Sequence, residues 1–465
     1  MKSRASFVVS LVVLLLPGSV FAQSDPGIRT GAPAAGGPLG SVAADNPTTI
    51  LAFFNDGKDR FEEVDSVSAT IPGEDGFGLG PRYNSRSCAA CHAFPATGGT
   101  SPAINPQITD ATADGAVNVI PPFILLSGPV REARFIFFTD PLGNPIPSAP
   151  NGNVEALYTI AGRSDAGGCT AATIAQPDFT SAISHNNVIF RIPTPVFGAG
   201  LMENIDETTL LNYQAAASSN PFGIAGTFNR NGNDGTIARF GWKAQNKSLE
   251  LFSGEAYNVE MGVSNEIFQN ERPSPEEDRA SGLANPCKIN PTPEDHTNFN
   301  TTAIGTVSDA VQFAMFMRLL APPARNKNEP GGASSINKGF ELFEEIGCSV
   351  CHQINLGPDP MASRITPDLS NPAPNMFSDL EIHHMGTGLA DNIAQGDAGG
   401  DQFRTAPLWG LGQRIFLLHD GRTSNLISAI QAHQSTGSEA NAVKLNYDSL
   451  SAIDQQHILN FLRSL

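Results

Sequence analysis

Cys88-Ala-Ala-Cys91-His92 and Cys348-Ser-Val-Cys351-His352 are two copies of one five-residue pattern, Cys-x-x-Cys-His, placed far apart in the chain. The 465 residues include only six cysteines and nine histidines. At these frequencies, chance would produce on the order of 10⁻³ copies of the pattern. The repetition is therefore a chemical signature, and it commits four of the six cysteines.

This pattern has the spacing of a covalent haem attachment site. Two thiols three residues apart at the start of a helix can each add to one vinyl group of the same porphyrin, and the next histidine can ligate the iron. A zinc site would need a second pair of ligands converging on the same metal. A thioredoxin-like site would need a βαβ context and no second copy. We therefore predict two covalently bound c-type haems, with His92 and His352 as the proximal iron ligands.

The N-terminus has the features of a secretion signal. A short basic start is followed by an apolar stretch from Phe7 to Val20, and Val20-Phe21-Ala22 has the small-x-small form that signal peptidase recognises. The apolar stretch is too short to span a bilayer comfortably. We expect a signal peptide over residues 1–22, cleavage after Ala22, a periplasmic protein and no stable membrane span.

The chain is strongly acidic, with a formal net charge of -18. Removal of Lys2 and Arg4 with the signal would bring the net charge to about -20. Nucleic acid and anionic lipid headgroups would be repelled, so neither is an expected partner. The charge suits docking of a small basic electron carrier, and it would equally serve only to keep an exported protein soluble.

Cys169 and Cys287 are left over once the two pentads are assigned. Export to an oxidising compartment makes a disulfide between them an expected feature. Two inert buried thiols are the alternative.

Composition and periodicity divide the mature chain into two units. The 45 glycines, 35 prolines and 16% charged residues indicate much irregular structure. We predict a fold that is mainly α with irregular and some β segments, in which two cytochrome c-like haem domains follow one another and a long loop-rich insertion enlarges the first. The predicted boundaries are a flexible leader at 23–46, the N-terminal haem domain at 47–320, a linker at 321–334 and the C-terminal cytochrome c domain at 335–465.

Several elements can be placed from local patterns. Apolar spacings of three and four residues predict helices over 48–64, 307–320 and 450–462, and a further helix capped by Ser335 that runs into the second pentad. Runs rich in β-forming residues predict strands over 118–126 and 134–138.

Six longer strings resemble the di-haem oxidoreductase family, also described as thiol oxidoreductase-like, which is related to bacterial di-haem cytochrome c peroxidases and the MauG enzymes. The resemblance extends from about residue 48 to the C-terminus. The strings are Gly78-Leu79-Gly80-Pro81, Ile192-Pro193-Thr194-Pro195, Gly200-Leu201-Met202-Glu203, Arg239-Phe240-Gly241-Trp242-Lys243-Ala244, the run from Gln402 to Trp409, and Leu418-His419-Asp420-Gly421-Arg422.

The resemblance implies a direction for electron flow. In the peroxidase relatives the C-terminal haem receives electrons and the N-terminal haem meets peroxide. We therefore expect an oxidoreductase that takes electrons from a periplasmic donor, such as a small cytochrome or cupredoxin, and passes them to a small-molecule oxidant. The relatives also hold a calcium ion between the domains, so calcium is a further expected cofactor.

The sixth ligand of the second haem has three candidates, namely His433, Met385 and Met376. The peroxidases place a distal methionine at the position matched here by His433, so we predict that His352 and His433 coordinate the same iron. Met385 is the alternative, and a thioether ligand would raise the potential.

The first haem has no evident sixth ligand, because no histidine follows His92 before His185. An open iron position is the expectation, although a buried residue such as Met261 would be able to fill it. Cleaving an O–O bond needs a nearby acid–base group. Glu203 lies in a segment that resembles the one carrying the distal glutamate of the peroxidases, so it is the predicted catalytic residue; a surface glutamate is the alternative.

Four further side chains are candidates for roles near the haems. Arg404 and Arg422 are candidates to bind haem propionates. Of the two tryptophans, Trp242 and Trp409, one would be able to lie between the haems, although core packing is the commoner role of a tryptophan. The competing functions are a non-catalytic electron-transfer cytochrome and an accessory protein of periplasmic metal handling.

Overall fold

The structure is a computed structural model that describes residues 22–29, 35–44, 49–140, 142–274, 287–300, 306–356, 369 and 375–465. The predicted signal peptide, apart from Ala22, lies outside these ranges. Within them, no helix is both long and apolar enough to cross a membrane.

The described chain is mixed helix and strand with little sheet. The α-helices are Gly40–Ala43, Ile50–Glu62, Cys88–Cys91, Gln107–Asp110, Phe179–Ser184, Ala199–Glu203, Glu207–Ala217, Leu249–Glu260, Asp309–Leu319, Gly332–Glu345, Leu426–Gln431, Asn441–Ser449 and Ala452–Ser464. Short 3₁₀ turns are Ala113–Gly115, Cys348–Val350 and Leu411–Gln413. The strands are Asp65–Ser66, Gly76–Phe77, Arg82–Tyr83, Glu132–Phe135, Phe137–Thr139, Pro145–Pro150, Val154–Glu155, Tyr158–Thr159, Val188–Arg191, Ile382–His384 and Gln402–Arg404.

The largest sheet among these residues has three strands. Glu132–Phe135 lies between Val154–Glu155 and Val188–Arg191 and is antiparallel to both. The strand predicted over 134–138 is therefore confirmed in part, because the run is divided at Ile136 between Glu132–Phe135 and a second strand, Phe137–Thr139. The helices predicted over 48–64, 307–320 and 450–462 are also confirmed, with ends within a few residues of the prediction.

Two local predictions are wrong. Residues 118–126 form no strand, because Pro121 and Pro122 cannot donate to a ladder and the Asn118 side chain bonds instead to Ala111 O and to Thr159. Ser335 caps no helix, since the helix already begins at Gly332. The Ser335 hydroxyl instead contacts His457 Nδ1 at 2.7 Å, across a helix pair.

Each pentad follows a helix that crosses a later helix at a glycine. In the first unit, a Cβ at Gly57 would lie 2.4 Å from the Gln312 carbonyl oxygen. In the second unit, a Cβ at Gly339 would lie 1.9 Å from the His457 carbonyl oxygen. Both distances are shorter than any van der Waals contact, so only glycine permits these helix crossings.

The two units also share a phenylalanine four residues after each of these glycines. Phe61 packs against the His92 ring with 5.9 Å between centroids, and Phe343 packs against the His352 ring at 6.3 Å. A Gly-x-x-x-Phe pattern thus places an aromatic ring on each proximal histidine. Both copies of the Gly-x-x-x-Phe pattern are present in the sequence. The first lies much farther from its pentad than the second, so the two were not recognised as a repeat.

The described parts of the predicted leader are anchored to the body. Val42 is 1% exposed in the core of the first unit. Arg29 donates to the carbonyl oxygens of Arg463 and Leu465 at the C-terminus. The buried Arg463 guanidinium also pairs with Asp25 at 2.7 Å. These contacts hold both described stretches of 23–46 in place.

Cys169 and Cys287 form a disulfide, with Cα atoms 5.5 Å apart. The expected bridge is thus present, and it links two distant parts of the first unit.

The crossing at Gly339 generates a stability prediction. Gly339→Ala should lower the free energy of unfolding by about 1–3 kcal/mol, because the added methyl group must push the two helices apart. Alanine is the better helix former by about 1 kcal/mol, so the opposite sign would be expected without the crossing. The measurement is urea unfolding followed by circular dichroism.

Gly40→Ala is the matched control, since nothing lies within 4 Å of a Cβ built on this helical glycine. It should leave stability unchanged or slightly raised. Equal effects of the two substitutions would contradict the close approach.

Candidate haem sites

The two pentads open into two neighbouring cavities. The first is lined by Cys88, Cys91 and His92, and with its opening it encloses about 1080 Å³ of empty space. The second is lined by the cysteines and histidine of the second pentad and encloses about 1620 Å³ on the same basis. Apolar side chains dominate both walls, as expected for sites that take a large apolar group.

Three imidazoles in these cavities share one geometry. The Nδ1 atom lies 3.1 Å from Gly99 O in His92, 3.0 Å from Phe377 O in His352 and 2.8 Å from Ala429 O in His433. Burial lowers the pKa of His92 and His352 to about 4 and also lowers the pKa of His433. Each ring is therefore neutral, and a proton on Nδ1 that is donated to the carbonyl would leave the Nε2 lone pair for a metal.

The second cavity contains two of these imidazoles, His352 and His433. Met385 also lines it, whereas Met376 is fully buried elsewhere and is not part of the wall. His433 has the oriented, neutral ring that an iron ligand needs, which supports the predicted pairing of His352 with His433.

Another histidine of the second cavity is not available to a metal. His383 hydrogen-bonds through Nε2 to Asp379 at 3.0 Å and through Nδ1 to Glu439 at 2.9 Å. In the described part of the chain, Cys351, Asp379 and His383 are the only group of three metal-ligating side chains. Because Cys351 belongs to the pentad, this group is part of the haem site.

Two buried arginines line the second cavity without a carboxylate partner among the described residues. Arg404 and Arg414 donate only to backbone carbonyls, those of Gly241 and Thr405 and those of Pro407 and Trp409. Burial lowers the pKa of each to about 10, so both remain charged at neutral pH. Unpaired buried cations beside an apolar cavity fit the propionates of a haem.

Arg422 does not line the second cavity. It is exposed, pairs with Asp420 at 2.6 Å and donates to Gly388 O. The structure thus places Arg422 outside both cavities, whereas Arg414 lines the second.

The first cavity holds two facing carboxyl groups, Glu132 and Glu260, which are hydrogen-bonded to each other. Burial and the neighbouring Glu132 raise the pKa of Glu260 to about 8. Burial would also raise the pKa of Glu132, but the Arg134 guanidinium holds it below its ordinary value. Asn84 Nδ2 donates to Glu260 Oε2 at 2.8 Å and fixes the side chain. At neutral pH the pair therefore shares one proton, which resides on Glu260.

Glu203, the predicted catalytic residue, lies elsewhere. Its carboxylate pairs with Arg318 at 2.6 Å and accepts the backbone N–H of Leu249 at 2.8 Å, at the start of the helix Leu249–Glu260. It does not line the first cavity. The structure thus places Glu203 outside the first cavity, in contact with the helices that carry Arg318 and Leu249. The carboxyl groups that line the cavity are Glu132 and Glu260.

The other wall residues of the first cavity decide whether a haem iron there would have a free coordination position. Among the described residues, His92 is its only histidine. Met261 lines it, with Sδ 3.8 Å from Cys88 Sγ, so this thioether lies beside an attachment cysteine. The expectation of an open position agrees with this lining.

The two cavities share a wall formed by Ile192, Pro193 and Trp242. Trp242 Nε1 donates to Ile192 O at 2.8 Å, which orients the indole. Trp409 is buried in the core beside Gly198 and lines neither cavity. Of the two tryptophans, Trp242 therefore lies between the predicted haem sites.

Residues 158–465, more than half of the chain, match the model of the family described as "Di-haem oxidoreductase, putative peroxidase". Among solved structures the chain is similar to hydrazine synthase from Kuenenia stuttgartiensis, with 12% identity, coverage of 99% of this chain and 100% of that one, and a TM-score of 0.34. It is also similar to a diheme peroxidase from Burkholderia thailandensis, with 13% identity, coverage of 96% and 92%, and a TM-score of 0.36. No curated protein matches it.

The geometry of His433 generates a spectroscopic prediction. His433→Ala should convert one low-spin haem to high-spin, because removal of the imidazole leaves its iron with an open position. Optical and paramagnetic resonance spectra of the oxidised protein measure the change.

His384→Ala is the control, since this exposed histidine hydrogen-bonds to Asp401 and should not affect either haem. An unchanged spectrum in His433→Ala, together with loss of the low-spin signal in Met385→Ala, would assign the ligand to Met385 instead.

Proposed function

The chain belongs to the di-haem oxidoreductase family, and on that premise we propose that it is a periplasmic c-type cytochrome with peroxidase-like activity. Two cytochrome c-like domains would each carry one haem attached through a pentad. Electrons would enter at the C-terminal haem from a small cytochrome or cupredoxin and would be consumed at the N-terminal haem by a peroxide. The repeated glycine crossings, at Gly57 and Gly339, support the two-domain arrangement.

The observation that carries the proposal is the inequality of the two cavities. The second contains two oriented neutral imidazoles, His352 and His433. The first contains one imidazole, His92, together with a proton-sharing carboxyl pair. A haem held by two side-chain ligands would favour electron transfer, whereas a haem held by one side-chain ligand beside a proton donor would favour chemistry.

A bound haem supplies a redox-active iron, and the protein must supply the protons that reduction of a peroxide consumes. Glu260 can donate its proton to an oxygen atom in the first cavity, since its raised pKa keeps it neutral below about pH 8. Glu132 can accept a proton in return, because Arg134 favours its charged form. Moving a proton between the two oxygens of a hydroperoxide requires such a donor and acceptor together.

Trp242 is suited to couple the two sites. Its indole belongs to both cavity walls and is held by one hydrogen bond to Ile192 O. An aromatic side chain at this place shortens the gap that an electron must cross between the haems. We therefore propose that Trp242 relays electrons between the two haems. Trp409, in contrast, packs in the core.

A non-catalytic electron carrier is the second candidate. The observation in its favour is that Met261 lines the first cavity, beside Cys88. If Met261 filled the sixth position, both irons would be low-spin and peroxide would have no effect. The carboxyl pair of Glu132 and Glu260 would then have no function in the cavity, which favours the enzyme.

The carboxyl pair predicts a pH dependence. Peroxide reduction should fall as the pH rises through about 8, because Glu260 loses its proton there. Glu260→Gln should lower kcat/KM by about 10²–10⁴-fold and abolish this fall, since an amide keeps the shape but cannot supply the proton. Steady-state assays from pH 5 to 9 test both effects.

Glu203→Gln is the matched control and should keep the wild-type pH profile, because Glu203 lies outside the cavity. A large loss in Glu203→Gln with little effect in Glu260→Gln would restore the original assignment.

The shared wall predicts a kinetic effect. Trp242→Phe should slow electron transfer from the second haem to the first, since the smaller ring widens the gap and loses the hydrogen bond to Ile192. Stopped-flow reduction of the oxidised protein, followed at both haems, measures the rate. Trp409→Phe is the control, and an equal rate in the wild type and in Trp242→Phe would remove Trp242 from the path.

A further inference from the structure

Three arginines line the first cavity, and two of them are already paired. Arg134 pairs with Glu132 at 2.5 Å, and Arg191 pairs with Asp391 at 2.6 Å. The third, Arg131, forms no ion pair with any residue that the structure describes. Within the described wall of this cavity, Arg131 is therefore the arginine that remains uncommitted.

The guanidinium of Arg131 is held in place but is not fully hydrogen-bonded. Its Cζ atom lies 4.6 Å from the centroid of the Phe190 ring. The backbone N–H and carbonyl oxygen of Arg131 both bond to the Gln107 side chain, at 3.0 Å each. Nε, however, is buried and has no hydrogen-bond partner. A buried donor of a charged group is unfavourable without an acceptor, which points to an acceptor supplied by a bound group.

The carboxyl groups around Arg131 are committed to other partners. Asp420 is the carboxylate whose charge bears on Arg131, and it pairs with Arg422 at 2.6 Å. Glu132, the next residue in the chain, is hydrogen-bonded to Glu260. Among the described residues, no carboxylate is thus left to pair with Arg131.

We propose that Arg131 binds a propionate group of the haem in the first cavity, an inference that rests on the proposed function only in placing a haem there. A haem carries two carboxylates, and a planar guanidinium can donate two parallel N–H bonds to one of them. The second cavity offers the same kind of partner, since Arg404 and Arg414 line it and donate only to backbone carbonyls. Each cavity then supplies its haem with at least one guanidinium that has no carboxylate of its own.

An anionic substrate is the competing ligand for Arg131. Such a substrate would leave after each turnover, and Nε would then be buried without an acceptor until the next one arrived. A propionate of a haem attached through Cys88 and Cys91 would stay in place. The burial of Nε therefore favours the propionate.

The test uses the haem-loaded protein and measures the potential of each haem by spectroelectrochemical titration. Arg131→Gln should lower the potential of the first haem, because loss of a positive charge favours the more positive, oxidised iron. We expect the reduction equilibrium constant to fall about threefold to tenfold, and a tenfold fall corresponds to about 59 mV for one electron. The potential of the second haem should change less.

Two further variants separate the charge of Arg131 from its shape. Arg131→Lys keeps the charge, so the potential should stay near the wild-type value. The propionate bending bands in its resonance Raman spectrum should nevertheless shift, because an ammonium group cannot form the paired N–H bonds of a guanidinium. Arg230→Gln is the matched control, since this exposed arginine donates to Gly235 O in a turn and should alter neither readout.

An unchanged potential of the first haem in Arg131→Gln would overturn the propionate contact, and a raised KM in the same variant would assign Arg131 to an anionic substrate instead. Counting the haems of the wild type beforehand distinguishes this failure from failure of the proposed function. One haem per chain would contradict the proposed function and the propionate contact with it. Two haems per chain with an unchanged potential in Arg131→Gln would remove only the role of Arg131.

Discussion

One carboxylate, Asp391, holds the wall between the two cavities in place. It lies in the second unit, is 2% exposed, and pairs with Arg191 at 2.6 Å and with Lys243 at 3.2 Å. These two cations directly precede and follow wall residues, because Arg191 is next to Ile192 and Lys243 is next to Trp242. Removing one member of a buried ion pair leaves an uncompensated charge and costs about 3–5 kcal/mol. The position of Trp242 between two haem sites therefore depends on this charged contact.

The two cavities on either side of this wall are lined differently. Each unit presents a proximal imidazole to its cavity with a phenylalanine ring against it, His92 with Phe61 and His352 with Phe343. What differs is the opposite wall. In the second cavity a helix delivers His433, and in the first cavity the irregular insertion delivers Glu132 and Glu260. The long insertion thus lines the first cavity with a carboxyl pair, whereas the described wall of the second cavity has one glutamate, Glu439, which is bonded to His383.

The haem attachment sites and the helices before them could be predicted from the sequence, because their signals are local. The pentads define their attachment sites within five residues, and the helices before them follow from apolar spacing. The acid–base pair could not be predicted, since Glu132 and Glu260 meet only when a strand and a distant helix come together. The ion pair of Glu203 could not be predicted for the same reason, because its partner, Arg318, lies far along the chain.

Low-temperature paramagnetic resonance of the fully oxidised protein measures directly whether the two haem sites are unequal. The expected spectrum has one high-spin ferric signal from the haem with an open position and one low-spin signal of the type given by two imidazole ligands, in equal amounts. Two low-spin signals that peroxide leaves unchanged would contradict it and would identify the protein as an electron carrier.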